Sequence, residues 1–473
     1  MHYDAIIIGA GMSGLAAALR LAMFGKRVVV LEKHELWGGL NSFYTKDGHA
    51  FDVGLHALTN FAPARARGAP LTRVLRQLRI RHEELRLGEQ AVSELRVPGA
   101  TLTFTNDFGH FEAEVERRFP DQRDGFRDLV AEVRAFELDA EDHPERSGRA
   151  VLEQHLSEPL LVDALLLPLL YYGSARERDV DWGQLVVLFR SIFLEGLCRP
   201  QGGIRSFLNL VIKRCKREGV ALRLRAGVAR VLVEGDACRG VELEDGETLT
   251  ADCVLSSAGW VETMRLCGAD VLRARVIEED HGRLSFVESI SVLDRPPREL
   301  GIEAATVFFT TSTPFDYSVP ADLFDARSGV LSFPSNFAAD GKPPEPAARV
   351  TILANHDRWC ELAEEDYHRE KRRAADAAIE SAASFLPDWR GCTTYRDVFT
   401  PRTIRHFTGH DKGALYGSPR KRRDGRTGID RLFLVGTDQG YLGVIGALVS
   451  GIAMANLHVL SAAVGREQEE VAR

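Results

Sequence analysis

Two glycine-rich turns, one carboxylate and a small-residue helix are the parts of this sequence best able to do chemistry. Asp4-Ala-Ile-Ile-Ile-Gly9-Ala-Gly11-Met12-Ser13-Gly14 reads as a buried strand running into a tight turn. An apolar helix from Leu15 to Met23 follows and stops at Phe24-Gly25; a second apolar strand, Arg27 to Leu31, ends on Glu32 and Lys33. In this strand–turn–helix–strand–acid unit, Gly9 permits the turn and Gly11 lets the backbone approach a pyrophosphate. Gly14 lets helix and strand pack closely. The helix N-terminus, at Met12 and Ser13, offers free N–H groups and the positive end of its dipole to phosphates. Glu32 stands where a carboxylate accepts hydrogen bonds from a ribose diol, which favours an unphosphorylated ribose: NAD or FAD rather than NADP.

A second glycine pair follows, Trp37-Gly38-Gly39-Leu40-Asn41-Ser42, and then Asp52-Val53-Gly54-Leu55-His56. A nicotinamide dehydrogenase has no reason for such a pair here. Flavoproteins of the glutathione-reductase type with an amine-oxidase-like layout do, because it lets the chain pass close to the pyrophosphate and ribityl chain. Near the C-terminus, Arg431 to Val435, then Gly436-Thr-Asp438-Gln-Gly440-Tyr-Leu-Gly443-Val444-Ile-Gly446-Ala447-Leu-Val-Ser450-Gly451, reads as a strand, a polar turn and a small-residue helix. The small residues clear one side of that helix for something planar or for another backbone.

These three motifs, in this order, resemble the flavin-dependent phytoene desaturase, carotenoid isomerase and retinol saturase group, relatives of the flavin amine oxidases. Cys198-Arg-Pro-Gln-Gly202-Gly203, Gly219 to Val228, Ala251 to Ala258, and Thr400-Pro-Arg-Thr403 with Gly413-Ala-Leu-Tyr416-Gly417 add to the likeness. The resemblance implies an α/β architecture: a glutathione-reductase-type, Rossmann-like FAD domain with a mixed α+β substrate domain formed from two insertions. It implies FAD contacts at Gly9, Gly11, Met12, Ser13, Gly14, Glu32, Lys33, Gly39, Leu40, Asn41, Gly54, Leu55, His56, Val228, Ala258, Gly436, Asp438, Gly443, Val444 and Ala447. The residue matching Val228 contacts adenine through its backbone in the group. Many relatives carry a basic residue just after the Gly-Gly pair, where this chain has Leu40-Asn41, so phosphate neutralisation must come from elsewhere.

To position these motifs, the FAD domain is assembled from residues 1–70, 200–285 and 406–473, and the substrate domain from 71–199 and 286–405. The first insertion reads as helix-rich, with an amphipathic Leu71 to Leu87 and helical spacing from Phe126 to Phe136. Its two most apolar stretches, 159–172 and 185–194, are expected to be core helices, to wall an apolar passage or to dip into a bilayer surface, with Leu166 and Phe189 as test positions for the passage. The second insertion has strand-like runs at Ser285–Leu293, Thr306–Thr311, Gly329–Phe333 and Arg349–Ala354, then a charged helix from Glu361 to Phe385. Arg420-Lys-Arg-Arg423 reads as a basic turn.

The chain has 473 residues, enough for more than one core. With 60 basic and 68 acidic residues it carries a formal charge of −8, no footprint for nucleic acid. Seven Cys, none closer than fourteen residues to the next, fit neither a metal site nor a disulfide framework. The start reads as a first strand rather than a signal peptide, and no stretch reaches the roughly 20 apolar residues of a spanning helix. A cytoplasmic chain is expected, with one-sided membrane contact left open.

The flavin group implies an isoprenoid or polyene as the small-molecule substrate. His56, Tyr416 and Asp438 are the polar residues expected near the ring; none is assigned as a catalytic acid or base. The rival readings are a flavin amine oxidase, a hydroxysqualene-type dehydroxylase and a non-enzymatic FAD-binding escort protein. Many amine oxidases place a lysine beside the flavin. Only nine Lys occur in the chain, and of Lys342, Lys371, Lys412 and Lys421 only Lys412 suits that place. On this reading Gly443→Val costs flavin, while Gly451→Ala, further along the same helix, is mild.

Overall fold

The computed structural model describes residues 1–54, 56–137, 145–341 and 343–461. Leu55 and Lys342 lie outside them. His2–Ile8 is apolar on both faces and its inner residues are fully buried, so it takes a central place in a largely parallel sheet. The order is Val228–Glu234, Ala237–Leu243, Thr248–Ser256, His2–Ile8, Val28–Leu31, Ala221–Arg223, and Leu432–Leu434 adds in parallel to Thr248–Ser256. Strands from three distant stretches of chain thus share one sheet. The helix Met12–Ala22 leaves the end of His2–Ile8, and Gly203–Arg217 and Gly443–Met454 pack against it.

A second sheet runs Thr393–Phe399, Ser285–Leu293, Ala347–Ala354, Phe324–Ser332, Thr306–Thr310, Ser93–Val97, Ala100–Phe104. It is antiparallel except where Thr306–Thr310 meets Ser93–Val97. The last two strands come from the insertion expected to be helix-rich, and Thr393–Phe399 was not foreseen either; the first two alternate polar and apolar residues too briefly to stand out, and Thr393–Phe399 does not alternate. The expected helix 71–87 is only Pro70–Gln77, because Arg79 turns to φ +52 and the chain breaks into a short 3₁₀ turn. Glu361 to Phe385 resolves into His356–Glu361 and Glu364–Ala383.

Both apolar stretches of the first insertion are helices, Pro159–Gly173 and Trp182–Phe189, the second continued by a π turn at Arg190–Leu194. They are chiefly core. Leu166 and Phe189 are fully buried in one apolar cluster with Phe104, Phe111 and Phe193, so these two positions wall no passage. Arg420 to Arg423 is likewise no plain solvent turn. Arg422 reaches the fully buried Asp280 at 2.9 Å and stacks on Trp260 at 4.1 Å, while the Lys421 side chain is largely covered and lies beside Asp438. Burial lowers the Lys421 ammonium to about 8 against the raising pull of Asp438.

Gly443–Leu460 is an 18-residue helical stretch with the length and composition of a membrane span, contrary to expectation. Its packing against Met12–Ala22 accounts for that composition. At Gly451 a β-carbon would overlap the Ser13 carbonyl oxygen and come within 2.9 Å of Ala17 N. The two helices therefore cross with backbone against backbone, and the expectation that Gly451→Ala is mild is overturned. Gly451→Ala is expected to destabilise the protein by about 1–3 kcal/mol through this overpacking. Denaturant unfolding of the variant, with and without added cofactor, measures it.

Candidate functional site

The turn after His2–Ile8 is built from positions that exclude a side chain for different reasons. Gly9 has φ +91, and a β-carbon there would overlap Ser257 Oγ. One at Gly14 would overlap the Gly9 carbonyl oxygen, so Gly14 serves helix–strand packing and lies beneath the site rather than in it. At Gly11, by contrast, a β-carbon meets nothing within 4 Å. Gly38 bridges to Gly11 in parallel, its N–H donating to the Ala10 carbonyl at 2.9 Å, and places Gly39 3.6 Å from the Gly11 Cα, measured from where its own β-carbon would be. The two glycine turns are thus one cradle.

Glu32 is buried, and its two carboxylate oxygens accept from Ala10 N at 2.9 Å and His34 N at 3.0 Å. Those bonds fix the carboxylate while leaving lone pairs for a ribose diol. Glu32 N donates to the Arg223 carbonyl and Ala226 N to the Glu32 carbonyl, which brings Val228 alongside. Gly436 N donates to Ser450 Oγ at 2.6 Å, and Gly443, with φ +72, has only Thr59 Oγ1 near where a β-carbon would be, at 3.9 Å.

All of this lines a cavity of about 1580 Å³, beyond the roughly 300–1,000 Å³ of ordinary ligand pockets. Of the expected cofactor contacts, Gly9, Gly11, Met12, Ser13, Glu32, Lys33, Gly39, Leu40, Asn41, Gly54, His56, Val228, Ala258, Gly436, Gly443, Val444 and Ala447 line it. Leu55 falls outside the described residues. Asp438 is a correction. Its oxygens accept from Trp260 N at 2.6 Å and Ser418 N at 2.7 Å, with Lys421 at 3.8 Å, and it is not among the lining residues. It holds the polar turn in shape from behind.

Beyond the glycine cradle the cavity continues toward the second sheet, whose Phe286 and Val330 line it. There it is walled by Tyr171 and Tyr172 at the end of Pro159–Gly173, Val187 and Leu188, and Phe286, Val330, Leu415 and Tyr416. The Tyr416 hydroxyl donates to the Tyr171 carbonyl, so its polar end is occupied. His56, Glu288 and Thr351 are among the polar residues set into this apolar end. Glu288 and Thr351 were missed from the sequence, although a carboxylate in the middle of the wholly buried Ser285–Leu293 is a readable flag. Lys412 does not line the cavity; it sits at φ +50 in a short turn near Glu278. Lys33, Lys46 and Lys371 do line it, Lys46 bound to Asp397 at 2.9 Å and Lys371 over the Tyr367 ring.

An extended dinucleotide fits the first arm. Gly11, Gly39 and Gly443 leave open exactly the space a β-carbon would take, backed by two helix N-termini and a fixed carboxylate. The fold and the glycine cradle are those of a dinucleotide-binding oxidoreductase, and the family to which the chain belongs makes that dinucleotide FAD. Residues 12–260, more than half of the chain, match the flavin-containing amine oxidoreductase family, and the chain belongs to it. It is 23% identical to chloroplastic prolycopene isomerase of Arabidopsis thaliana over 99% of this chain and 84% of that one. It is 26% identical to all-trans-retinol 13,14-reductase of Danio rerio over 95% and 84% of the two chains. In fold it is similar to an oxidoreductase of Methanosarcina mazei, with TM-score 0.67, 17% identity and coverage of 96% of this chain and 100% of that one.

Because Gly11 faces open space at φ −68, Val fits the backbone and the flavin-free fold but fills the cradle. Gly11→Val is expected to leave the melting temperature of flavin-free protein unchanged while weakening FAD more than tenfold, ~1.4 kcal/mol or more. Titration of flavin fluorescence and thermal unfolding, run side by side, check it. Glu32→Ala is expected to weaken FAD by about 1.5–3 kcal/mol through loss of a charged acceptor, with some loss of stability from the freed Ala10 and His34 amides.

Proposed function

We propose that this FAD-dependent oxidoreductase acts on a long apolar isoprenoid or polyene, desaturating, saturating or isomerising it. The observation that carries the reading is the apolar continuation of the cavity past the glycine cradle, along Tyr172, Phe286, Val330 and Leu415. Such a substrate offers no charge to grip, and a wall of this kind binds it by burial at about 25 cal/mol per Å². The names of the two relatives, a prolycopene isomerase and a retinol reductase, support the same class. Among the described residues, Lys46 and Lys371 at the cavity are engaged by Asp397 and the Tyr367 ring, and Lys33 follows Glu32 in the cofactor arm, which does not favour an amine oxidase.

On this reading FAD is held by the cavity-lining residues of segments 1–70, 200–285 and 406–473, and the substrate by those of 71–199 and 286–405, with a few lining residues such as His56 between them. When bound, FAD supplies two-electron chemistry as hydride acceptor or donor. The chain's own residues orient the substrate, keep water from the ring and manage protons. Leu36 and Phe407 are both exposed and at the cavity's edge. These exposed apolar side chains favour one-sided contact with a membrane surface.

Val187 and Leu415 are half-buried and line the apolar arm, so a carboxylate at either can be solvated without unfolding the core. Val187→Glu and Leu415→Glu are each expected to keep FAD and lower turnover of a polyene by about a hundredfold, from the cost of a charge against hydrocarbon. Chromatography of a panel of linear isoprenoids, incubated anaerobically with oxidised and with pre-reduced protein, checks both this and the substrate class. Turnover of primary amines in place of the panel overturns the reading.

A further inference from the structure

The apolar end of the cavity carries a buried charge cluster that hydrocarbon binding does not require. Glu288 lies mid-strand among nine buried residues, and Arg349 Nε donates to its Oε1 at 2.6 Å. His56 brings Nε2 to 3.4 Å from the same oxygen and 3.1 Å from Thr351 Oγ1. The main-chain carbonyl of His56 accepts from Arg199 Nη1 at 3.2 Å and Ser332 Oγ at 3.0 Å. Ring and backbone are therefore both held. Arg199 pairs with Asp52 at 2.5 Å, and the Tyr172 ring lies 6.3 Å from the imidazole at 26°. Replacing a buried ion pair by well-packed apolar residues is often neutral or stabilising, so stability alone gives little account of this cluster in a hydrocarbon-binding wall. Strongly perturbed buried groups of this kind gather at reacting centres.

Glu288 is ionised. Burial pushes its carboxyl up, but Arg349 and His56 outweigh that and hold it down at about 2. An ionised carboxylate only accepts, so Nε2 of His56 carries the hydrogen, shared between Glu288 and Thr351. Nδ1 then keeps its lone pair and takes no hydrogen bond from any described residue, in a side chain that lines the cavity. Burial lowers the imidazole below its ordinary value against the raising pull of Glu288, with Arg349 and Arg199 lowering it further. The ring is neutral at pH 7 and able to accept a proton. The charged or titratable groups around it are Glu288, Arg349, Arg199, Asp52, Tyr44 and Tyr172.

We propose that His56 Nδ1 is the proton-transfer atom of this cavity and that Glu288 is its positioning residue, fixing the tautomer and stabilising the imidazolium. The logic is that of a histidine held by a carboxylate, and it rests on the polyene reading above. In the oxidative direction a C–H bond beside the double bonds breaks, its proton goes to Nδ1 and its electron pair becomes the new C=C bond. The balancing hydride from the adjacent carbon would be taken up by oxidised FAD, the two-electron acceptor that the residues of the glycine cradle would hold. In saturation the balance reverses: the imidazolium gives the proton, reduced FAD would supply the hydride, and the C=C bond is lost.

The test uses the FAD-loaded full chain. With ¹⁵N-labelled histidine, and His56→Gln to assign the signal, the shifts of His56 are expected to report the Nε2–H tautomer and a pKa below that of free histidine. Glu288→Gln is expected to lower that pKa further and to move the acid limb of the pH–rate profile to lower pH. In D₂O, wild type is expected to introduce solvent deuterium into the saturated product, or to exchange it at the allylic carbon. His56→Gln is expected to lose that label at least a hundredfold with FAD content and absorption spectrum unchanged. An Nδ1–H tautomer, or equal labelling by His56→Gln, overturns the proposal. A wild type inert toward every polyene removes the substrate reading instead, and the tautomer and the Glu288→Gln shift then decide the imidazole's arrangement independently.

Discussion

Backbone-to-backbone packing of Met12–Ala22, against Gly443–Met454 at Gly451 and against the turn after His2–Ile8 at Gly14, requires both positions to be free of a side chain, and both ends of the cavity's cofactor arm depend on it. Gly451 sets one helix against the Ser13 carbonyl, and Gly14 sets the other against the Gly9 carbonyl. Only with both contacts closed do Gly11, Gly39 and Gly443 face the same open space. A methyl group at Gly451 forces the helices apart, whereas one at Gly11 touches only what would occupy the cradle. The same residue type thus serves two ends: approach of chain to chain, and approach of chain to cofactor.

The cavity's electrostatics divide along its length. In the cofactor arm backbone groups carry part of the charge, the amides at the start of Met12–Ala22 and those of Ala10 and His34 that pin Glu32, beside the lining side chains of Lys33 and Arg225. This suits a chain with Leu40-Asn41 where relatives carry a basic residue. In the apolar arm the charges are side chains locked in pairs, Glu288 with Arg349 and Asp52 with Arg199. A low-dielectric wall makes an unpaired charge there very costly and a paired one firmly oriented. The result is a mostly hydrocarbon surface with one imidazole held in a fixed direction.

Much of the cofactor side was legible in the sequence because its signals are local. A strand, a glycine turn, a helix and an acid occupy consecutive residues, and the second glycine pair follows within a few positions. The misreadings share a different cause. Asp438 lies in the right motif, but its oxygens are consumed by amides of Trp260 and Ser418, far away in the chain. Lys421 reads as part of a basic turn, yet its side chain is largely covered and lies beside that same carboxylate. Leu166 and Phe189 belong to helices that touch the cavity, yet each lies on a face turned toward the core. Helical apolarity alone does not say which face meets which neighbour when the whole helix is apolar.

The sequence by itself determined the dinucleotide turn, the family resemblance and the strands next to the glycine motifs, since periodicity and glycine spacing are properties of short segments. Tertiary structure alone decided which polar groups share the apolar end. His56, Glu288, Arg199 and Thr351 stand far apart in the chain, and they meet only because Ser285–Leu293 and Ala347–Ala354 pair antiparallel in register Glu288–Thr351 beneath the loop that carries His56. Register between distant strands is set by the burial of whole faces, and no window of sequence contains that information.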